Sequence, residues 1–403
     1  MRRRLSLLIM VLISLGQLAN TIFNVVSRGM GIGDYLWVWK ESLCTVRGID
    51  VIFAIKNHMI VDGIEMPGAS ATMPYARILA NFIHPGFLSM NYAAKYGFFL
   101  YVFALLIMIF ILYKKLSKEL RVEKQYLILM VVLAVLSPWY WTDVFLSWNN
   151  GALFALFLVI SVYIVDDYEY ISGVLLAFAM IKPQIAALFY ISFFLKRKYK
   201  VILVSIVILC LSWGIYLILM GGNPIIQMID ILKQSEGRNA NFIWFGIFDP
   251  ITKMGKSGTI AIVYSMIFGI ALVTLLSLGI LKSTFSGDTL LYYSIPAVMS
   301  TIWCYKSTSD LVILVLPNIM LLYIIIKYDV GFGFWCLLNS ALVVFNVKIF
   351  SGIIRRIIHY DWLFGVNMDA YARTIMFLLI YGIIIYKLRG VRKLRRITNE
   401  ASD

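Results

Sequence analysis

The sequence LSLLIMVLISLGQLANTIFNVV, residues Leu5–Val26, contains no charged side chain and follows a basic cluster at Arg2–Arg4. Its length fits the roughly 17–25 residues that cross a hydrocarbon core of about 30 Å as a helix. Similar apolar runs recur along the chain and lack the alternating pattern of barrel strands. Backbone groups in lipid need partners within their own segment. The pattern therefore predicts an all-α polytopic membrane protein.

Composition excludes an ordinary soluble protein. The 403 residues are 61% hydrophobic and 14% charged, with a mean hydropathy of +0.86, whereas soluble domains carry about 25% charged residues. The succession of apolar runs and polar breaks predicts about 12 transmembrane or half-membrane helices with long outer loops. Since no linker or low-complexity segment divides the chain, residues 1–403 are predicted to form a single membrane domain.

The net charge of +15 comes largely from clusters that flank apolar segments, at Arg2–Arg4, Lys114–Lys124, Lys196–Lys200 and Lys387–Arg396. Cytoplasmic loops of membrane proteins carry such an excess of lysine and arginine. The distribution favours this topological explanation over a nucleic-acid surface. It predicts a multi-pass membrane protein with both termini in the cytoplasm.

Residues 27–92 form the first predicted outer loop, which is rich in polar and aromatic residues. Leu36, Trp39, Leu43 and Val46 recur at helical spacing and predict a short helix lying at the membrane interface. Tryptophan suits the headgroup layer. We interpret this loop as one wall of an active site on the outer membrane surface.

A second informative stretch is the pair of apolar segments Tyr170–Ile181 and Pro183–Leu195. Each is about 12 residues long, or roughly 18 Å of helix, and is too short to cross the bilayer alone. A break at Lys182-Pro183-Gln184 keeps the basic Lys196–Lys200 loop on the cytoplasmic side. Such breaks occur where they line a cavity, and an ionisable residue at membrane depth marks a functional site.

Asp34 lies a few residues beyond the first apolar span. A partly desolvated carboxylate at the interface can act as a general base for a hydroxyl group. The alternative is structural, because aspartate at this position also suits the start of the following helix. Spacing alone leaves both open.

Other outer polar residues could bind a substrate. The cations Lys182, Lys306, Arg77 and the pair Arg355 and Arg356 could hold a phosphate, or could extend toward lipid headgroups. The further candidates for substrate binding are Tyr35, His84, Asn149, Gln184, Asp310 and His359. No spacing typical of metal ligands, no glycine-rich phosphate loop and no serine-nucleophile motif is present, so neither a metal nor a cofactor is expected.

Several short motifs resemble a known family: Gly33-Asp34-Tyr35, Arg47-Gly48-Ile49-Asp50, Trp148-Asn149-Asn150-Gly151, Ile181-Lys182-Pro183-Gln184 and Ser307-Thr308-Ser309-Asp310. The chain resembles the C-type (GT-C) membrane glycosyltransferases. The likeness is to the bacterial branch that uses polyprenyl-phosphate sugars, which includes mannosyltransferases of phosphatidylinositol mannoside synthesis. The Gly-Gln element of that branch is absent beside Asn149.

The resemblance implies transfer of a mannose-like hexose or a pentose from a polyprenyl-phosphate donor to a glycan or glycolipid acceptor, with inversion. It implies Asp34 as the base and Lys182, Lys306, Arg77, Arg355 and Arg356 as cations for the donor phosphate. Expected partners are these two substrates and membrane lipids, without nucleic acid. Two alternatives stay open: a polymerase that joins lipid-linked repeat units, and a transporter of lipids or glycolipids.

Overall fold

The structure is a computed structural model that describes residues 2–29, 33–67, 72–120, 122–221, 223, 226–231, 258–283, 287–303, 308–328, 331–347 and 375–386. These residues are almost entirely helical, and a two-stranded antiparallel hairpin is their only sheet. The predicted all-α polytopic fold is confirmed.

Most of the helices correspond to the apolar runs of the sequence. They are α1 (Arg2–Arg28), α2 (Gly33–Val46), α3 (Val51–Lys56), α4 (Arg77–Ile83), α5 (Met90–Glu119), α6 (Lys124–Leu136), α7 (Tyr140–Ser147), α8 (Asn150–Ile164), α9 (Glu169–Ala179), α10 (Pro183–Leu195), α11 (Tyr199–Met220), α12 (Gly258–Leu281), α13 (Thr289–Met299), α14 (Val315–Lys327), α15 (Phe332–Asn346) and α16 (Ile375–Tyr386). Short 3-10 helices cover Pro74–Ala76 and Thr308–Leu314, residues 226–231 are helical, and the hairpin joins β1 (Ile60–Val61) to β2 (Ile64–Glu65).

Four described helical segments are long and apolar enough to cross a membrane: Leu7–Arg28, Met90–Glu119, Tyr199–Met220 and Asp310–Lys327. A fifth span results if α6 and α7, which meet at a bend of 65°, are counted together. Other apolar helices have 10–17 residues. At 1.5 Å per residue most of these are shorter than the hydrocarbon core. The predicted number of about 12 membrane elements is therefore not confirmed.

Two helices form the centre of the bundle. Nearly every side chain of α8 is buried, and α14 is buried over most of its length. Both are apolar on all faces, as expected for helices enclosed by other helices. The 3-10 segment Thr308–Leu314 packs directly against α8, and α13 and α15 flank α14. Asn149 at the start of α8 and Asp310 in the 3-10 segment before α14 are consequently buried.

The predicted break between two short helices is present. α9 ends at Ala179 and α10 begins at Pro183, which takes the first helical position because its missing N–H needs no partner there. α9 is fixed to α8 by reciprocal bonds, since the hydroxyls of Ser161 and Ser172 each donate to the other residue's carbonyl at 2.9 and 3.0 Å. Lys182 is thereby placed beside the start of α8.

The segment from α2 to α4 is packed more deeply than a helix lying on a surface. Trp39 is 2% exposed and its indole N–H donates to the carbonyl of Pro85 at 3.2 Å. Trp39 therefore packs inside the protein. Gly86 allows the close approach behind this contact, because a Cβ there would lie 2.4 Å from the backbone of Ser42 and Leu43. The loop is thus clamped onto α2, which carries Asp34.

Candidate active site

Asp34 lies in the first turn of α2, where a carboxylate also interacts favourably with the helix dipole. Its side chain is partly exposed. Its Oδ2 accepts a hydrogen bond of 2.6 Å from Nδ2 of Asn149. Asn149 is the N-cap of α8, and its Oδ1 accepts from the backbone N–H of Gly151 at 2.8 Å. The same residue therefore caps the central helix and contacts the carboxylate of Asp34.

The other side of Asn149 faces a cation. Nζ of Lys182 donates to Oδ1 of Asn149 at 3.2 Å and to Oδ1 of Asp310 at 2.5 Å. Asp310 is fully buried, and the side chain of Lys182 is 18% exposed. Burying one of these charges alone would be costly, whereas the pair is compensated. Asp34, Asn149, Lys182 and Asp310 form a continuous polar chain, which we name the acid–lysine relay.

A second branch starts at Asn150, whose Nδ2 donates to the backbone carbonyl of Asp34 at 3.0 Å. Its Oδ1 lies 2.7 Å from Nε2 of His84. Because Oδ1 can only accept, Nε2 of His84 is the protonated nitrogen. The ring of His84 packs on Tyr35 with centroids 4.5 Å apart, and the Tyr35 hydroxyl donates to the carbonyls of Ile83 and Ala93. This branch fixes the backbone of Asp34 to α4 and α5.

The turn between α7 and α8 brings both asparagines to this point. Trp148 has a φ of 50° and a ψ of 50°, a left-handed conformation that is unusual for a bulky residue. Its ring stacks on Phe98 at 5.7 Å and meets the edge of Tyr35 at 5.9 Å, which holds the strained turn in place. Strain of this kind is typical of functional sites.

Six of the residues predicted from sequence thus lie together: Asp34, Tyr35, His84, Asn149, Lys182 and Asp310. Gln184 follows Lys182 by two residues, and its backbone carbonyl accepts from the indole of Trp303 at 2.8 Å. Four other candidates, Lys306, Arg355, Arg356 and His359, lie outside the described residues. Within the described part of the chain, no group of three or more His, Cys, Asp or Glu side chains could hold a metal ion.

Arg77 belongs to a different cluster from the group around Asp34. Its side chain is 1% exposed, its guanidinium lies over the ring of Tyr216 at 4.9 Å, and Nη1 donates to the Tyr216 hydroxyl. That hydroxyl donates to Asp50 at 3.0 Å, and Gln227 donates to the same carboxylate oxygen at 2.7 Å. Because the cation is enclosed by this cluster, the placement argues against the predicted phosphate contact. Arg77 instead ties α4 to α11.

Comparison with known proteins adds one finding. A family model described as glycosyltransferase family 87 matches residues 79–301, which is more than half of the chain. The chain belongs to glycosyltransferase family 87. Membership of this GT-C-like membrane family identifies the protein as a membrane glycosyltransferase, as the sequence resemblance predicted. No curated protein and no solved structure shows significant similarity to it.

The residues matched by the family model include only part of the site of this family 87 glycosyltransferase. His84, Asn149 and Lys182 lie within the matched residues, whereas Asp34, Tyr35 and Asp310 lie outside them. The two sets are joined by the hydrogen bonds of Asn149 to Asp34 and of Lys182 to Asp310. The relay therefore links the matched core to flanking segments on both sides.

Sequence reasoning missed two contributors to this glycosyltransferase's site. Asn150 was noted only as part of a motif, although it joins Asp34 to His84. Gly151 leaves the space in which Lys182 meets Asp310, since a Cβ there would lie 1.8 Å from Oδ1 of Asp310. The run Trp148–Gly151 at a helix start was the available signal, but its partners lie more than 30 residues away along the chain.

The neutral state of His84 leads to a pH prediction. Burial lowers the pKa of His84 from 6.5 to about 4, so the folded protein keeps the ring neutral above that pH. The unfolded chain binds the proton below about 6.5. The contribution of His84 to the free energy of unfolding is therefore complete above pH 6.5. It is lost as the pH falls toward 4, which lowers the free energy of unfolding by up to roughly 3 kcal/mol. Thermal unfolding of the detergent-solubilised protein between pH 7 and pH 4.5 measures this loss.

Two histidine variants test this assignment. His84→Gln keeps a donor for Asn150 but cannot titrate, so it is expected to flatten the dependence of the unfolding temperature on pH. His58→Gln is the matched control, because His58 is exposed and its replacement should preserve the parent's slope. An unchanged slope in His84→Gln would assign the acid sensitivity to other groups.

Proposed function

We propose that this glycosyltransferase moves a hexose or pentose from a polyprenyl-phosphate donor to a glycan or glycolipid acceptor on the outer face of the inner membrane. The observation that carries the proposal is the acid–lysine relay. It presents a carboxylate, Asp34, and an ammonium group, Lys182, on opposite sides of one amide. Transfer from a lipid phosphate needs one group of each kind.

The partly exposed Asp34 has the role of general base. It accepts the proton of the acceptor hydroxyl while the hydroxyl oxygen forms a bond to the anomeric carbon. The bond between that carbon and the phosphate oxygen breaks, and polyprenyl phosphate leaves with the electron pair. A single displacement of this kind inverts the configuration at the anomeric carbon.

Lys182 has the role of stabilising the phosphate that departs. An ammonium group has three N–H donors, and two of those of Lys182 have partners among the described residues, Asp310 and Asn149. The third is the one that we assign to a phosphate oxygen. A preorganised cation in a dry site stabilises developing negative charge more than it would in water. Asp310 pairs with Lys182 and holds it in position before the donor arrives.

The distribution of lysines supports the proposed orientation. Lys115, Lys196, Lys198 and Lys327 lie at the ends of α5, α10, α11 and α14 that point away from Asp34. Under the positive-inside rule this basic end faces the cytoplasm. The opposite end, with Asp34, then faces outward. Lipid-linked sugars held in the outer leaflet would reach it there.

An apolar groove of about 390 Å³ supports a lipid-linked substrate. It lies between α2, α4 and α11, and its lining includes Val46, Phe82, Phe87 and Ile215. Val46 is twelve residues after Asp34 on the same helix, which corresponds to roughly 18 Å. A hydrocarbon chain in this groove could therefore extend toward the carboxylate while its head group is held near Lys182.

The test is transfer of radiolabelled sugar from a panel of polyprenyl-phosphate hexoses and pentoses into lipid and glycan fractions of membranes that contain the protein. Membranes from cells without the protein serve as the control. We expect incorporation from one donor class that depends on the protein. If no member of the panel supports incorporation, the proposed donor is wrong, and lipid-linked oligosaccharides would be the substrates that a polymerase requires.

A further inference from the structure

We infer that Asn149 is a positioning residue that holds the carboxylate of Asp34 and the ammonium group of Lys182 apart. This inference rests on the proposed function, because it assigns those two charges to the base and to the phosphate cation. Asn149 affects the reaction indirectly, by positioning Asp34 and Lys182. Its physical basis is the orientation of a single side-chain amide.

The partners of Asn149 fix that orientation. A carboxylate can only accept, so the amide NH₂ faces Asp34, at 2.6 Å. An ammonium group and a backbone N–H can only donate, so the amide oxygen faces Lys182 and Gly151, at 3.2 and 2.8 Å. Asn149 is 9% exposed, which leaves its side chain little freedom to turn. All three contacts favour the same orientation of the amide group.

Without this amide, Asp34 and Lys182 would be opposite charges separated by a small gap. Their attraction in a poorly hydrated site would draw them into direct contact. A direct ion pair would occupy the oxygen that must accept the hydroxyl proton and the N–H that must reach the phosphate. Asn149 prevents this contact, while Asp310 supplies the counter-charge that Lys182 needs. Both charges thereby stay available for separate substrates.

The alternative role for Asn149 is structural, since it caps α8. The two roles predict opposite effects of one isosteric substitution. Aspartate caps helices about as well as asparagine, and alanine does so poorly. For a cap alone, Asn149→Asp is harmless and Asn149→Ala is the damaging change. For a residue that separates Asp34 from Lys182, Asn149→Asp is at least as damaging, because it places a second carboxylate beside Asp34.

Steady-state kinetics with the donor that the panel identifies distinguish these roles. Asn149→Ala is expected to lower kcat by roughly 10- to 100-fold, the equivalent of losing a hydrogen bond to a charged group. The KM for the donor should change less than about threefold, because Lys182 keeps Asp310. Asn149→Asp should lower kcat at least as far. Asn57→Asp, which adds the same charge at an exposed position, should match the parent. Parent-like kcat in Asn149→Asp would overturn the inference.

A thermal unfolding cycle tests the pairing without any substrate. Asn149→Asp alone should lower the unfolding temperature, because two carboxylates then face each other. The double variant with Asp34→Asn and Asn149→Asp restores an amide–carboxylate bond in the reverse direction, so it should regain most of that loss. Additive shifts would overturn the inference. Coupled shifts without transfer from any donor would count against the proposed function alone.

Discussion

Replacing Asp34 with asparagine is expected to lower sugar transfer by roughly 100- to 10,000-fold, the range that a positioned general base contributes. The substituted amide has nearly the same shape but cannot accept the acceptor's proton. Lys182 keeps Asp310 in this variant, so donor binding should be largely preserved. The loss should therefore appear in kcat rather than in the KM for the donor, measured with the radiolabelled substrate.

Two variants define the specificity of this effect. Asp62→Asn is the matched control, because Asp62 lies in the same segment but is exposed and pairs only with Arg47 among the residues that the structure describes. It should transfer sugar at the parent rate. Asp34→Glu retains a carboxylate at the wrong distance and should recover part of the activity. Parent-like transfer by Asp34→Asn would remove Asp34 as the base.

Much of the candidate site could be predicted because charged side chains at membrane depth are rare and usually mark functional sites. Asp34 stood out by its place just beyond an apolar span, and Lys182 by its place at the break between two apolar segments that are each too short to cross the bilayer. Asp310 lies in a polar run directly before an apolar one. In each case a local pattern was sufficient to select the residue.

The partnerships within the site could not be predicted. Asp34 and Asn149 are 115 residues apart, and Lys182 and Asp310 are 128 apart, so their contacts depend on how α2, α8, α9 and the 3-10 segment pack. The same limit applies to Arg77. A cation in an outer loop looks available for a phosphate, but only packing against α11 shows that Tyr216 and Asp50 enclose it.

Helix positions were predictable from hydropathy, whereas the number of full spans was not. Apolar length alone does not separate a helix that crosses lipid from one enclosed by other helices. α14 is such a case, since neighbouring helices cover it on nearly all sides. The burial of α2 within the protein could not be predicted either, because its buried face includes polar residues such as Glu41 and Thr45.

Gly151→Ala is expected to lower transfer by roughly 100-fold and to lower the unfolding temperature as well. The added Cβ would lie 1.8 Å from Oδ1 of Asp310, 2.7 Å from Nζ of Lys182 and 2.9 Å from Oδ1 of Asn149. Asp310 is fully buried, so the clash must move the charged groups by more than an ångström. A displacement of about 1 Å can cost about a hundredfold in rate. Overpacking of this kind costs about 1–3 kcal/mol in stability.

Gly214→Ala is the matched control, because Gly214 lies within α11 and a Cβ there meets nothing within 4 Å. Alanine is favoured over glycine in helices by roughly 0.5–1 kcal/mol, so this variant should unfold at the parent temperature or above it. The mechanism itself is tested by adding Asp310→Ala. If the clash with Asp310 is the cause, Gly151→Ala should destabilise the Asp310→Ala protein much less than the parent. Equal destabilisation in both backgrounds would show that Gly151 is needed for another reason, such as the backbone geometry of the start of α8.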